Sequence, residues 1–162
     1  AIRRMVRDWE PGDGRVQLHL GGPSLRTRNW PLNVRRDLGR ASRADMVTAY
    51  FGPPLSFRRA LKRMARRGTL RLILASKSDL GITVAAARAH YASLLRARAR
   101  LHEFAPTKLH MKLLVIDDIS YIGSGNLDLR SIRLNLEVML RIEDAELAAR
   151  LRGLIDHMEA AC

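Results

Sequence analysis

Residues 110–137 have the sequence HMKLLVIDDISYIGSGNLDLRSIRLNLE, and the rest of the predicted fold is arranged around them. Residues 109–116 are an apolar, branched run of strand length, and the Asp-Asp pair that follows is a turn signal. Residues 119–122 are therefore predicted to form the return strand of a tight hairpin. A further strand is predicted over residues 133–142, and it carries Glu137.

The first of these strands sorts its side chains onto two faces. Side chains alternate along a strand, so we expect His110 and Lys112 to point the same way, about 7 Å apart. Met111, Leu113 and Val115 take the other face, which we expect to lie against a core. The alternation therefore leaves a histidine and a lysine together on the opposite face.

This set of side chains suits phosphoryl chemistry. The imidazole of His110 can attack phosphorus and form a covalent intermediate, or protonate a leaving oxygen once it is charged. Lys112 supplies a positive charge, and Ser124 and Asn126 supply neutral donors for the phosphate oxygens. Glu137 is the candidate carboxylate behind the imidazole, where it would fix the tautomer and stabilise imidazolium. The chemistry requires no metal ion, and we expect no cofactor.

The pattern resembles the HKD motif of the phospholipase D superfamily, which is His-x-Lys, four residues, Asp and then Gly-Ser-x-Asn. Residues 126–131 and 133–137 resemble more specifically the second motif of bacterial cardiolipin synthases, and the resemblance covers roughly residues 40–143. The segment between Asp and Gly is one residue shorter than in many of those enzymes, which we interpret as a tighter hairpin. The matching residues here are His110, Lys112, Asp117, Gly123, Ser124 and Asn126.

The resemblance implies a phosphohistidine mechanism that uses two HKD motifs, of which this chain has one. The second motif would come from a missing N-terminal half or from a second copy in a homodimer, and the first residue, Ala rather than Met, favours the missing half. In two-motif relatives the second motif usually supplies the general acid, which is the expected role of His110. The resemblance also makes Tyr50, Phe51 and Asp79 candidate substrate-binding residues. Aromatic core packing would explain the first two equally well, and helix capping the third.

Charge and hydropathy limit the possible partners. The chain has 162 residues and a net charge of +13, from 29 Lys and Arg against 16 Asp and Glu. This excess favours an anionic bilayer surface, a phosphorylated substrate or nucleic acid, although Arg-rich coding bias would give the same composition. No apolar run reaches the roughly 18 residues of a membrane span. The resemblance to bacterial cardiolipin synthases further implies a peripheral protein on the cytoplasmic side of the inner membrane.

The order of predicted elements indicates an α/β fold, a mixed β-sheet flanked by helices as in a phospholipase D-like sandwich. Residues 1–14 are predicted to be a linker or the remnant of an upstream segment, and residues 15–162 the HKD domain. The other four histidines lack a motif, and we assign them no function. Strands are predicted over residues 15–20, 46–51, 69–75 and 101–104, and helices over residues 32–41, 56–67, 82–97 and 145–161.

Three functions from different classes remain open. The leading one is a cardiolipin synthase-like phosphatidyltransferase or phosphodiesterase that acts on phospholipids. The second is a single-motif, dimeric, metal-independent endonuclease, since such superfamily members have a similar length and the charge suits DNA. The third is a non-catalytic module that binds anionic membranes or nucleic acid. The intact set of motif residues argues against the third, because binding by charge alone does not need that arrangement.

Overall fold

The computed structural model describes residues 9–23, 29–78 and 81–162. Its order of elements confirms an α/β fold. The strands are β1 Val16–Gly21, β2 Arg43–Thr48, β3 Phe51–Gly52, β4 Thr69–Ala75, β5 Arg100–Phe104, β6 Lys112–Ile116, β7 Ile119–Gly123, β8 Leu127–Asp128 and β9 Glu137–Glu143. The helices are α1 Asn29–Arg40, α2 Leu55–Arg67, α3 Gly81–Arg88, α4 Tyr91–Leu95, α5 Leu129–Arg133 and α6 Ala145–Ala160.

Seven strands form one mixed sheet in the order β1-β9-β7-β6-β2-β4-β5. Strands β2, β4 and β5 run parallel, as expected for strands joined by helical crossovers. Strand β6 is antiparallel to β2 and continues through a two-residue turn into β7, and β9 and β1 extend the antiparallel half. The predicted hairpin and the mixed sheet are therefore confirmed.

Apolar residues fill a core on each face of the sheet. One core contains Leu114 of β6 with Trp30 of α1 and Phe57 of α2, and all three are almost fully buried. The other contains Leu113 of β6 with Ile155 of α6. Because neighbouring residues of β6 enter different cores, helices cover both faces of the sheet, as predicted. None of the helices in the described residues is long and apolar enough to cross a bilayer.

The strand predicted over residues 46–51 is two strands, β2 and β3. The hydroxyl of Thr48 donates to the carbonyl oxygen of Tyr50 at 3.0 Å, and a side-chain bond of this kind competes with the sheet ladder. The chain turns at this point, and β3 pairs in parallel with β8 instead of continuing along β4. The break therefore coincides with a polar side chain, Thr48, within the predicted strand.

The helix predicted over residues 82–97 is also divided, into α3 and α4. His90 lies at the break, where its ring nitrogen is 3.1 Å from the guanidinium of Arg58 and its ring meets the edge of Phe51 at 6.3 Å between centroids. These contacts with α2 and β3 override a helix propensity that is good throughout the segment.

The strand predicted over residues 133–142 begins four residues late, at Glu137. A short helix, α5, occupies its expected start, because Asp128 caps that helix by accepting from the backbone N–H of Ser131 at 2.8 Å. The strand predicted from residue 109 similarly begins at Lys112. Among the other predicted elements, residues 69–75 match β4 in full. The predicted linker is described only from Trp9, whose indole N–H donates to the carbonyl oxygen of Leu18.

Candidate functional site

Strand register brings most of the predicted site residues to one edge of the sheet. Lys112, the first residue of β6, pairs with Thr48, the last residue of β2. Ser124 directly follows β7, whose last residue is opposite Met139 of β9. Glu137 begins β9, so it also lies at this edge. The hairpin and β9 thus bring together residues that are up to 25 positions apart in the chain.

The amide of Asn126 has a fixed orientation. Its Oδ1 accepts from the backbone N–H of Tyr50 at 3.2 Å and lies 3.3 Å from the hydroxyl of Thr48, whose single proton it shares with the carbonyl oxygen of Tyr50. A backbone N–H can only donate, so the oxygen must face Tyr50 and the Nδ2 group must face away. Nδ2 makes no hydrogen bond within the described residues, and Asn126 lines an open cavity. Two N–H donors are therefore available to a bound anion.

Ser124 and Glu137 are bonded to each other. The hydroxyl of Ser124 donates to Oε2 of Glu137 at 2.5 Å and accepts from the backbone N–H of Val138 at 3.0 Å. The second carboxylate oxygen accepts from the side-chain amide of Asn135 at 3.2 Å. The hydroxyl proton is thus already used, and Ser124 holds Glu137 in place in this arrangement. It does not offer the phosphate donor that the sequence predicts.

His110 is exposed and lies immediately before β6. Its carbonyl oxygen accepts from Nζ of Lys112 at 2.6 Å, but its imidazole makes no hydrogen bond to any residue that the structure describes. The carboxylate of Glu137 is therefore not the group behind the ring that the sequence predicts. The imidazole is free to meet a substrate or a group from another domain.

Lys112 is almost buried, with 9% of its surface exposed. Burial lowers its pKa because the charged form loses solvation, while the nearby carboxylates of Glu137 and Asp128 act in the opposite direction. The ammonium group of Lys112 lies near two carboxylates and donates to the carbonyl oxygen of His110, so its position at the site is fixed. A positive charge in this position can attract a phosphate group while the side chain stays packed in the fold.

A cavity of about 370 Å³ opens beside this cluster. Its walls include Tyr50, which is half-buried, and Phe51, of which 3% is exposed. Phe51 therefore belongs to the core and to the cavity wall at once, and substrate binding by Tyr50 and Phe51 stays a prediction. The lining residues are Tyr50, Phe51, Gly52, Thr83, Ala86, Asn126, Asp128, Leu129, Arg130, Ser131, Asn135 and Glu137.

The structure does not bring Asp117 to this edge. Asp117 lies in the hairpin turn at the far end of β6, with a positive φ of 45°. Its carboxylate accepts from the backbone N–H groups of Ser42 and Arg43, at 3.2 and 2.9 Å, and so ties the hairpin to the start of β2. The third residue of the motif thus has a structural position here. The candidate Asp79 lies outside the described residues.

Sequence reasoning missed Thr48, Asn135 and Asp128. Thr48 orients the Asn126 amide, and Asn135 bonds Glu137 from two positions upstream. Asp128 caps α5 and lies close enough to Lys112 to affect its pKa. Only the capping position carried a usable signal, because Asp is one of the residues preferred at a helix N-cap. Nothing in the sequence around Thr48 identifies its partner 78 positions away.

A mixed sheet with helices on both faces, and His, Lys and Asn at one edge, defines a phospholipase D-like domain. The match to known proteins agrees: a family model described as "Cardiolipin synthase, PLD-like domain" covers residues 34–159. The chain belongs to this family, as the motif predicts.

Curated relatives are named as cardiolipin synthases. The chain is 31% identical to a probable cardiolipin synthase of Bacillus subtilis over 91% of its own length and 29% of that protein. It is 35% identical to cardiolipin synthase A of Pseudomonas fluorescens over 93% of its length and 32% of that protein. The chain thus spans about a third of the curated relatives it matches.

Solved structures support the fold. Nuc, a phospholipase D family member from Salmonella typhimurium, matches with a TM-score of 0.72 and 19% identity, over 88% of this chain and 92% of that one. Phosphatidylserine synthase of Haemophilus influenzae matches with a TM-score of 0.69 and 16% identity, over 89% of this chain and 38% of that one. At these identities the likeness concerns the fold alone.

Proposed function

We propose that this domain takes part in phosphatidyl transfer, the cardiolipin synthase-like breaking and remaking of a phospholipid phosphodiester. The observation that carries the proposal is the fixed amide of Asn126, whose free Nδ2 donors lie at the same sheet edge as Lys112 and the unbonded imidazole of His110. Anion donors beside an available histidine are what a phosphohistidine reaction requires. The names of the curated relatives support the choice of lipid.

The reaction needs two histidines. The nucleophilic imidazole attacks phosphorus, the bond from phosphorus to the leaving alcohol oxygen breaks, and the other imidazole protonates that oxygen. The second imidazole then removes the proton of an acceptor alcohol, which attacks phosphorus and breaks the P–N bond. We assign His110 the general-acid role, and Lys112 and Asn126 the binding of the non-bridging oxygens. Glu137, held by Ser124, supports the charge of Lys112.

The second histidine would come from a second His-x-Lys domain. The described surface offers an apolar sheet face for it, made of paired residues: Leu140 lies between Ile122 of β7 and Leu18 of β1, and Val138 pairs with Leu20. Ile122 also pairs with Leu113, which enters the core under α6, so this face is on the α6 side of the sheet.

Helix α6 leaves this apolar face open. It packs on β5, β4, β2, β6 and β7. Val138 and Leu140 of β9 remain 47% and 38% exposed. Because Val138 follows Glu137 directly, a domain covering the face would reach the site. A second copy of this chain, or another part of a longer protein, could supply it.

Substrate competition tests the proposal. The protein is incubated without metal with vesicles of phosphatidylglycerol and, separately, with plasmid DNA, and the products are followed by mass spectrometry and gel electrophoresis. We expect a phosphatidyl product from the lipid and no nicked plasmid. Nicking of the plasmid with phosphatidylglycerol untouched would contradict the lipid assignment and favour the endonuclease.

Two variants make the test specific to the site. Asn126→Asp keeps acceptors for Tyr50 and Thr48 but replaces the Nδ2 donors by a negative oxygen. Since removing one such donor typically lowers the rate 10²–10³-fold, we expect a loss of at least about 100-fold. His110→Ala removes an exposed side chain and should abolish turnover with no change in unfolding midpoint. Unchanged properties for both variants would favour the non-catalytic module.

A further inference from the structure

Helix α2 carries a row of cations with no carboxylate beside it. Its sequence, LSFRRALKRMARR, contains six Lys and Arg and no Asp or Glu. Arg58 and Arg67 bond other parts of the chain. The remaining four make no ion pair with a carboxylate of the described residues, and we call them the basic strip: Arg59, Lys62, Arg63 and Arg66.

The basic strip lies on one side of the helix. At 3.6 residues per turn, its four side chains and Leu55 fall within an arc of about 100°. The opposite side is formed by Phe57, Leu61 and Met64, which are buried against the sheet. Like charges three and four residues apart repel one another and destabilise a helix. A counter-charge from outside the chain would relieve this repulsion.

Exposed leucines border the strip at the end nearest the cavity. Leu55, the first residue of α2, is 50% exposed, and Leu32 of α1 is 55% exposed. Leu32 lines a small groove together with Pro54 and Ser56, which flank Leu55, so the two helix starts adjoin. Gly52 lines the cavity three residues before Leu55, a reach of at most about 11 Å along the chain.

We propose that the basic strip of α2 docks this domain on the headgroups of an anionic bilayer, with Leu32 and Leu55 entering the interface beside the cavity. Cations with adjacent exposed apolar side chains are what an anionic lipid surface binds, whereas a nucleic acid has no use for the leucines. This deepens the proposed function and rests on it for the identity of the lipid. Docking would place the cavity mouth next to the lipid phosphodiesters that it is proposed to accept.

Vesicle binding tests the docking surface. The triple variant Arg59→Gln, Lys62→Gln, Arg66→Gln lowers the net charge by three and removes repulsion within α2, so it should fold at least as well as the wild type. Binding to vesicles of equal parts phosphatidylglycerol and phosphatidylcholine is measured by flotation. Each cation near an anionic surface strengthens binding roughly fivefold, so the loss of three cations should lower the partition coefficient about 100-fold.

The matched control removes the same charge elsewhere. Arg15, Arg96 and Arg150 are exposed and lie outside α2, and their triple substitution by Gln should leave vesicle binding within a few-fold of the wild type. An equal loss in the control would mean that net charge alone drives binding, and would overturn the proposal. Loss of binding to plasmid DNA with vesicle binding retained would identify a nucleic-acid surface and would also overturn it.

Docking and catalysis can fail separately. His110→Ala should bind vesicles like the wild type, because the imidazole is not part of the strip. Strip-dependent vesicle binding without any phosphatidyl product would leave the docking proposal intact and remove the proposed function. If the wild type catalyses phosphatidyl transfer but the strip variant binds vesicles as well as the wild type does, the proposed function stands and the docking proposal is overturned.

Discussion

At the scale of single residues, His19 is a buried histidine that the fold keeps neutral. Its Nδ1 accepts from the side-chain amide of Asn33 and its Nε2 lies 3.1 Å from the side-chain oxygen of Gln17. Burial, together with the charges of Arg141 and Arg36, lowers the pKa of His19 to about 4. Protonation below the ordinary pKa of 6.5 is therefore easier in the unfolded chain than in the folded one.

This difference predicts a pH-dependent stability. His19 contributes about 3 kcal/mol to the free energy of unfolding. This contribution is fully present above pH 6.5 and is lost as the pH falls toward 4. His19→Gln cannot titrate, and its amide can still accept from Asn33. Urea unfolding at pH 7.5 and pH 4 should therefore show a smaller fall in stability for the variant than for the wild type. Equal falls would mean that carboxylates alone cause the acid sensitivity.

Single residues also mark how far the sequence could predict the site. The motif predicts His110, Lys112 and Asn126 as site residues because residue type and spacing are local, and strand alternation placed the core-side residues correctly. It could not identify the partner of each polar group. The hydroxyl of Ser124 is equally suited to a phosphate or to Glu137, and only the register of β7 and β9 decides between them.

At the scale of elements, the strongly patterned segments were predicted and the short ones were not. The length and apolar pattern of β4 fit a strand and not a helix, and those of α6 fit a helix and not a strand. Helix α5 and strand β8 have five and two residues, too few for a period to appear. These two elements nevertheless form a wall of the cavity. The fold could therefore be predicted more fully than the pocket next to the site.

A buried arginine, Arg71, joins helix α6 to the sheet, and Arg152 of α6 joins it from the other side through Asp45. Arg71 of β4 is 2% exposed, and its guanidinium bonds Asp45 of β2 at 2.7 Å and Asp156 and Glu159 of α6 at 2.6 and 2.5 Å. Removing one partner of a buried ion pair leaves the other charge without compensation. Within the part of the chain that the structure describes, the buried carboxylate of Asp45 would then keep its bonds to Arg43 and Arg152.

We expect Arg71→Met to destabilise the protein by about 3–5 kcal/mol and to raise hydrogen exchange in α6 more than in α2. Arg150→Met is the matched control. It makes the same substitution within α6 itself, but the ion pair that it removes, with Glu146, is exposed. This variant should change stability by less than about 1 kcal/mol. Similar effects of the two variants would mean that contacts other than those of Arg71 hold α6 on the sheet.

At the scale of the whole molecule, the two proposed surfaces lie on opposite sides of the sheet. The apolar face of β7, β9 and β1 is on the α6 side, whereas α2 covers the other core. A second domain and a bilayer could therefore be bound together without competing for the same residues. Both surfaces adjoin the sheet edge that holds the cluster, since Val138 of the apolar face directly follows Glu137 and Gly52 of the cavity wall lies three residues before Leu55.

Leu140 provides the test of the apolar face. It lies at the centre of the face, with Leu18 and Ile122 as its cross-strand neighbours, and it is 38% exposed. A second copy would bury it, so we expect light scattering at high protein concentration to give twice the chain mass of 18.3 kDa for the wild type. Leu140→Lys would place a charge within that contact and should restore the single-chain mass.

The control and the activity assay decide what the face does. Leu95→Lys adds the same charge to a side chain of α4 that is 54% exposed and distant in sequence from β9, and it should leave the mass at twice that of the chain. Leu140→Lys should lose phosphatidyl transfer together with the double mass, because His110 then has no partner histidine. A wild type that is active as a single chain would contradict the shared site, since one imidazole would have to serve both as nucleophile and as acid.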